Sequence, residues 1–261
     1  MPGPPEGTDG ILPPAQRAAE LTGLGGFAVL QVGTEGLLPL PMALGADHLA
    51  ARFAATRTGL AAGTGLALEQ VPLRTAVSAA QVGLVSRFWS IALASVALHG
   101  WVPALTPDLV RVDPGHRNPS PIALDEPEAG RSVVGLEETV AAVEALVVHG
   151  AVAAVTEACR VHGRTSATVL VSNAASSLVA AARVVGGKVP GRAEHLDAVA
   201  RRLLARPWLA EGGAYRDVEA DGRAAEEFKR TGCCLYYRLP GHGLCPDCVL
   251  VRPGHPADDH H

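Results

Sequence analysis

Four of the five cysteines in this 261-residue chain lie within sixteen residues of one another, as Cys233, Cys234, Cys245 and Cys248. They read Thr231-Gly232-Cys233-Cys234, ten intervening residues, then Cys245-Pro246-Asp247-Cys248. Thiols this local imply a crosslink or a bound metal. Consecutive Cα atoms are about 3.8 Å apart, short of the ordinary disulfide separation, so a Cys233–Cys234 bridge would be strained. Crossed bridges between the pairs remain open to geometry, but no secretory signal is apparent, and the expected compartment is the reducing cytoplasm. Structural zinc prefers two knuckles with about two to four residues between ligands. Cys245 and Cys248 make one knuckle, whereas adjacent cysteines do not make the other. A [2Fe–2S] cluster also takes four thiolates but spreads them over two irons, which makes it the preferred reading of the spacing, with zinc as the alternative.

The Cys-Cys-x10-Cys-x2-Cys pattern, the lead-in Phe228-Lys229-Arg230-Thr231 and the segment Leu235-Tyr236-Tyr237-Arg238-Leu239-Pro240-Gly241 resemble the FhuF-type ferric-siderophore reductases. The close resemblance covers residues 228–251; a looser likeness of helical pattern extends to Ser86-Arg87-Phe88-Trp89-Ser90 and Ser172-Asn173. It implies that Cys233, Cys234, Cys245 and Cys248 hold a [2Fe–2S] cluster. It further implies a one-electron reductase of siderophore-bound iron(III) that releases iron(II). A ferredoxin or flavoprotein is the expected electron donor, because a hydride donor needs a converter to feed a one-electron centre. The alternative is a helical binding module stapled by zinc, without redox chemistry.

The elements that must position these cysteines are mainly helical. No Asp or Glu occurs between Glu69 and Asp108, and Arg74–His99 is almost wholly small or apolar, which predicts a long helix buried on most sides. Its length approaches that of a membrane span. Arg87 near its middle argues for a core helix and no integral membrane segment. A buried arginine needs anions or carbonyls around it, so Arg87 either pairs within the fold or, with Trp89, borders a ligand pocket. Arg238 lies inside the cysteine loop. These three, Arg87, Trp89 and Arg238, form the expected siderophore contact set.

Further helices are predicted over Ala15–Leu24, Ala46–Arg57, a stretch from Gly135 to Cys159 that is bent or broken at His149-Gly150, Thr168–Val185 and Arg192–Arg206. Phe27–Val32 reads as a strand, and Leu109–Val112 with Pro121–Leu124 as short strands about a turn. Gly59–Gly65 reads as a linker and Gly186-Gly187 as a helix stop. Between Glu211 and Gly222 the apolar period disappears, so that stretch reads as a tie to the cysteine module. Cys159 falls on an apolar helix face and is expected to be a core residue; His242 is expected to be a turn residue. Asn173 is expected to bond a loop carbonyl or a ligand.

The fold class expected is therefore mainly α, or α+β with few strands: six or seven helices plus a small iron–sulfur module. The domain expectation is a disordered tail at 1–13, a helical body at 14–210 with 125–131 a candidate boundary between halves, the module at 211–251, and a loose tail at 252–261. A net charge of −4 argues against a nucleic-acid partner, which would call for a basic face. Nucleophile-elbow, zinc-protease and phosphate-loop motifs are absent from the sequence. Gly23-x-Gly25-x-x-Ala28 imitates a dinucleotide fingerprint, but its glycines precede the predicted strand.

Overall fold

The computed structural model describes residues 12–220 and 223–250; the expected tail at 252–261 and residues 1–11 of the other lie outside them. Helix α1 (Pro14–Thr22) starts at a proline-rich first turn, where a missing N–H costs nothing. A short strand β1 (Leu38–Pro39) leads through α2 (Leu40–Ala43) to α3 (Ala46–Thr64) and α4 (Leu73–His99). Four short strands follow: β2 (Trp101–Pro103), β3 (Val110–Val112), β4 (Ile122–Leu124) and β5 (Gly130–Ser132). β1, β3 and β4 form one antiparallel sheet, and β2 pairs with β5. Helix α5 (Gly135–Val143) runs through a π-helical segment (Glu144–Val152) into α6 (Ala153–Gly163). Then come α7 (Ala167–Lys188), α8 (Ala193–Leu204), α9 (Pro207–Ala210), and a hairpin of β6 (Gly213–Ala220) and β7 (Arg223–Arg230). Seven α-helices of nine residues or more are described, as the mainly helical reading expects.

Helices α4 and α7 form the spine. Both are buried around most of their circumference, and the Trp89 indole N–H donates to the Ala174 carbonyl between them at 3.0 Å. Gly100, in the left-handed region, ends α4 by returning its N–H to the Val96 carbonyl. One hydrophobic cluster takes in residues from Leu21 to Phe228. Residues on both sides of 125–131 contribute to this cluster, and β5, which begins within that segment, pairs back with β2.

Three helices, Leu73–His99, Gly135–Gly163 and Ala167–Lys188, are long and apolar enough to cross a membrane. Each buries most of its apolar stretch against the rest of the fold, which accounts for its composition as core. The bend expected at His149-Gly150 is present: Gly150 alone leaves helical geometry, with φ −92° and ψ −125°. A Cβ there would strike the Leu105 carbonyl, and that same oxygen accepts the Ala151 N–H at 2.8 Å.

Several local expectations need correction. Phe27–Val32 is not a strand; Gln31 alone bridges Ala123, because the Gly26 and Val29 carbonyls accept from Arg87 instead of from a ladder. Gly59 and Gly63 lie inside α3, which stops only at left-handed Gly65. Ala61 is buried with Val71 and Leu239 in a small second cluster joined by Leu60, Leu66 and Tyr236. Tertiary burial thus carries the helix past two glycines that open solvent would not favour. Likewise α7 runs through Gly186-Gly187 to Lys188, and the bare Gly186 face allows Ala193 of α8 to approach.

Candidate metal centre

The β6–β7 hairpin fixes where the cysteines begin. Its register pairs Gly213 with Arg230 and Tyr215 with Phe228, and those two rings meet edge-on. At its base the Thr231 N–H donates to the Gly212 carbonyl at 3.0 Å. The base then presses on α7 through two glycines. A Cβ on Gly212 would lie 2.6 Å from the Val171 carbonyl, and one on Gly232 would lie 2.7 Å from the Thr168 carbonyl. Only glycine permits this approach, and Ser172 uses it: its hydroxyl accepts the Gly232 N–H at 2.7 Å.

Beneath the first cysteine pair lies a buried polar network whose hydrogen bonds are mutually consistent. The Ser78 hydroxyl donates to the Cys234 carbonyl at 2.9 Å and accepts from the Asn173 amide at 2.9 Å. That amide also donates to Gln81 Oε1 at 2.9 Å. Gln81 donates in turn to Thr156 Oγ1 and to the Leu170 carbonyl. Arg230, only 4% exposed, donates to the Gly232 carbonyl at 3.0 Å and to Asn173 Oδ1. Elements α4, α6, α7 and β7 are thereby tied to the peptide that carries Cys233 and Cys234.

The second pair is anchored separately. The Arg230 N–H donates to the Asp247 carbonyl at 3.0 Å, and Lys229 Nζ to the Pro246 carbonyl at 2.9 Å. The Ser176 hydroxyl from α7 bonds the Asp247 carboxylate. Cys248 closes a turn on the Cys245 carbonyl at 2.9 Å. β7 thus supports both halves of the motif, its Arg230 side chain reaching under one pair and its backbone holding the other. Left-handed Leu235, Gly241 and Gly243 let the loop between the pairs reverse.

All five cysteines are free. Cys234 and Cys248 are buried, and Cys233 and Cys245 half-buried. Backbone N–H groups of Leu235 and Leu250 donate to the Cys233 and Cys248 sulfurs at 3.3 and 3.4 Å. A hydrogen bond shared by the Cys234 and Cys245 thiols lowers the first and, together with burial, raises the second. Burial raises Cys233.

The four C-terminal cysteines, all free, stand as two pairs held by separate anchors, and two irons take two protein sulfurs each, so the donor set is the one a [2Fe–2S] cluster uses. Exposed apolar side chains neighbour the cysteines in the chain: Tyr237, Leu244, Val249 and Leu250.

The expected contact set is not brought together. Arg238 is exposed on the loop, its Nε donating to the Tyr237 hydroxyl at 3.3 Å. Arg87 is 1% exposed and donates to the carbonyls of Ser120, Gly26 and Val29. Burial lowers it only to about 10, so it stays charged at neutral pH. Trp89 is buried and bonded to Ala174. Nine residues of helix place Arg87 about 13 Å along α4 from Ser78, toward the β3–β4 side of the fold. Cys159 is buried, and burial pushes its thiol up to about 12. His242 meets Tyr236 edge-on within the loop.

Sequence reasoning missed Ser78, Gln81, Ser172 and Arg230 as supports; a polar residue recurring inside an otherwise apolar helix was the available signal for the first three. Asn173 bonds three side chains, Ser78, Gln81 and Arg230, in place of the loop carbonyl expected for it. No curated protein matches the chain. Residues 230–250 match the family model described as the FhuF 2Fe-2S C-terminal domain, and with Cys233, Cys234, Cys245 and Cys248 at the spacing of its cluster motif the module is a [2Fe–2S] site of FhuF type.

Proposed function

We propose that this protein is a ferric-siderophore reductase of the cytoplasm. The observation that carries the reading is a FhuF-type cysteine set in which two of the four cysteines, Cys233 and Cys245, are only half-buried, with exposed apolar residues next to them in the chain. A redox centre so placed is close enough to the surface to serve an external chelate. When bound, a [2Fe–2S] group supplies transfer of a single electron.

The residues divide the remaining work. Cys233, Cys234, Cys245 and Cys248 are the ligands, and the N–H groups of Leu235 and Leu250 stabilise charge on two of the sulfurs. Tyr237, Leu244, Val249 and Leu250 offer the apolar part of a contact surface. Arg238 offers a fixed positive charge for the oxygen-rich, often anionic metal face of a hydroxamate or catecholate chelate. One electron taken from a ferredoxin or flavoprotein reduces one chelated iron(III) to iron(II), which oxygen ligands hold less tightly.

The test is anaerobic purification followed by metal analysis and turnover. About two irons and two labile sulfides per chain are expected. Reduction of a ferric hydroxamate should proceed with a reduced ferredoxin or flavoprotein and not with NADPH alone. A colourless protein holding one zinc and no sulfide sinks the reading. Rapid bleaching by NADPH alone removes the need for a separate donor.

A further inference from the structure

We propose that the buried guanidinium of Arg230 sets the reduction potential of the cysteine-bound centre, holding it higher than the four thiolates would otherwise allow. The inference rests on the reductase reading only for the identity of the group held by Cys233, Cys234, Cys245 and Cys248.

Arg230 is 4% exposed, yet none of the ion pairs among the described residues includes it. Its hydrogen-bond partners are neutral: the Gly232 carbonyl, one residue before Cys233, and the Asn173 side-chain oxygen. A buried cation without a carboxylate requires compensation from another source. The cysteine peptide lies directly against it: the Arg230 Nε bond to the Gly232 carbonyl ends one residue before Cys233, and Asn173 links the guanidinium through Ser78 to the Cys234 carbonyl. Asn173 is itself locked by Ser78 and Gln81, so the guanidinium cannot swing toward solvent without breaking the network.

The energetic consequence follows from charge. Accepting one electron makes the ligand set and its metals more negative by one unit, with no bond made or broken at Arg230. A fixed cation in low dielectric stabilises the more negative state more strongly, and net charge near the sulfurs is a principal determinant of such potentials. Arg238, also near the loop, is exposed and screened by water and salt. Arg87 is as deeply buried, but its charge is met by carbonyls on another side of the fold. Arg230 is therefore the cation in the right place. It acts through the centre and does not touch the chelate.

Spectroelectrochemical titration of the iron-loaded protein tests this with Arg230→Gln, Arg230→Lys and Asn173→Asp. Arg230→Gln should shift the reduced-to-oxidised ratio at fixed potential at least tenfold toward oxidised, which is about 59 mV for one electron. Arg230→Lys, keeping the charge, should stay within about threefold of the parent protein. Asn173→Asp leaves the arginine in place but neutralises it, and should shift the ratio in the same direction as Arg230→Gln. Ratios unmoved in both Arg230→Gln and Asn173→Asp overturn the proposal. If Arg230→Gln does not retain iron, Asn173→Asp decides alone. Iron and sulfide analysis of the parent protein separates the two readings. Zinc without sulfide overturns the cluster itself, whereas two irons with an indifferent potential overturn only the role of Arg230.

Discussion

The hydroxyl of Ser78 donates to the carbonyl of Cys234 at 2.9 Å across 156 positions of sequence. Through this bond the spine helix α4 fixes the peptide of the first cysteine pair, and the same oxygen accepts from Asn173. Ser78→Ala removes a donor to one buried group and an acceptor from another. The expected loss is about 1–3 kcal/mol, with faster bleaching of the visible spectrum under a chelator. Stability by urea unfolding and the bleaching rate measure the two effects; a variant indistinguishable in both would show that the bond is dispensable.

Gly232→Ala should be more selective. The added methyl would meet the Thr168 carbonyl at 2.7 Å, and helix backbone cannot step aside as a side chain can. An overpacking cost of about 1–3 kcal/mol is expected, relieved by lifting the cysteine loop from α7. Iron content should fall severalfold while the far-ultraviolet spectrum of the helical body is retained. Full iron loading in this variant contradicts the close approach.

Arg87 leads to the opposite outcome. Arg87→Met strips donors from three carbonyls, those of Gly26, Val29 and Ser120. Destabilisation of about 3 kcal/mol or more is expected, whereas the spectrum and chelate affinity of the folded fraction should stay as in the parent protein. Lost chelate binding at unchanged stability would restore Arg87 to the contact surface.

Cys159 should be silent toward both metal and reagents. Burial pushes its thiol up to about 12, so at pH 8 roughly one molecule in ten thousand carries the reactive thiolate. In native protein stripped of metal, iodoacetamide should modify the C-terminal cysteines and leave Cys159 intact by peptide mass spectrometry. Cys159→Ser should keep the colour; its loss would mean that the ligand set is misassigned.

The parts of this protein legible in its sequence are those written in local pattern. The spacing of Cys233, Cys234, Cys245 and Cys248 depends on nothing outside sixteen residues. The spine helices announce themselves by unbroken small and apolar content. Glycines misled at Gly59–Gly65 and Gly186-Gly187 because Gly59, Gly63 and Gly187 are exposed in helices whose neighbouring residues, Ala61 and Val185, are buried and hold the helix past them. The β6–β7 hairpin gave no alternation to read: Arg216, Asp217, Glu226 and Glu227 are exposed on both faces of a two-stranded ribbon. Arg230, Asn173 and Ser78 were harder still. They come from three elements, and only tertiary packing brings them together beneath the cysteines.

The three carbonyls gathered by Arg87 belong to a loop and a strand that share little else. Gly26 and Val29 lie in the loop after α1, Ser120 leads into β4, and the Gln31 N–H joins the same pair of segments through the Ile122 carbonyl at 2.8 Å. One side chain from the spine is thus the rivet for both, so neither can open alone. Amide hydrogen exchange at Gln31 and along β4 should report a single cooperative foldon, whose opening requires a buried charge to give up three partners at once.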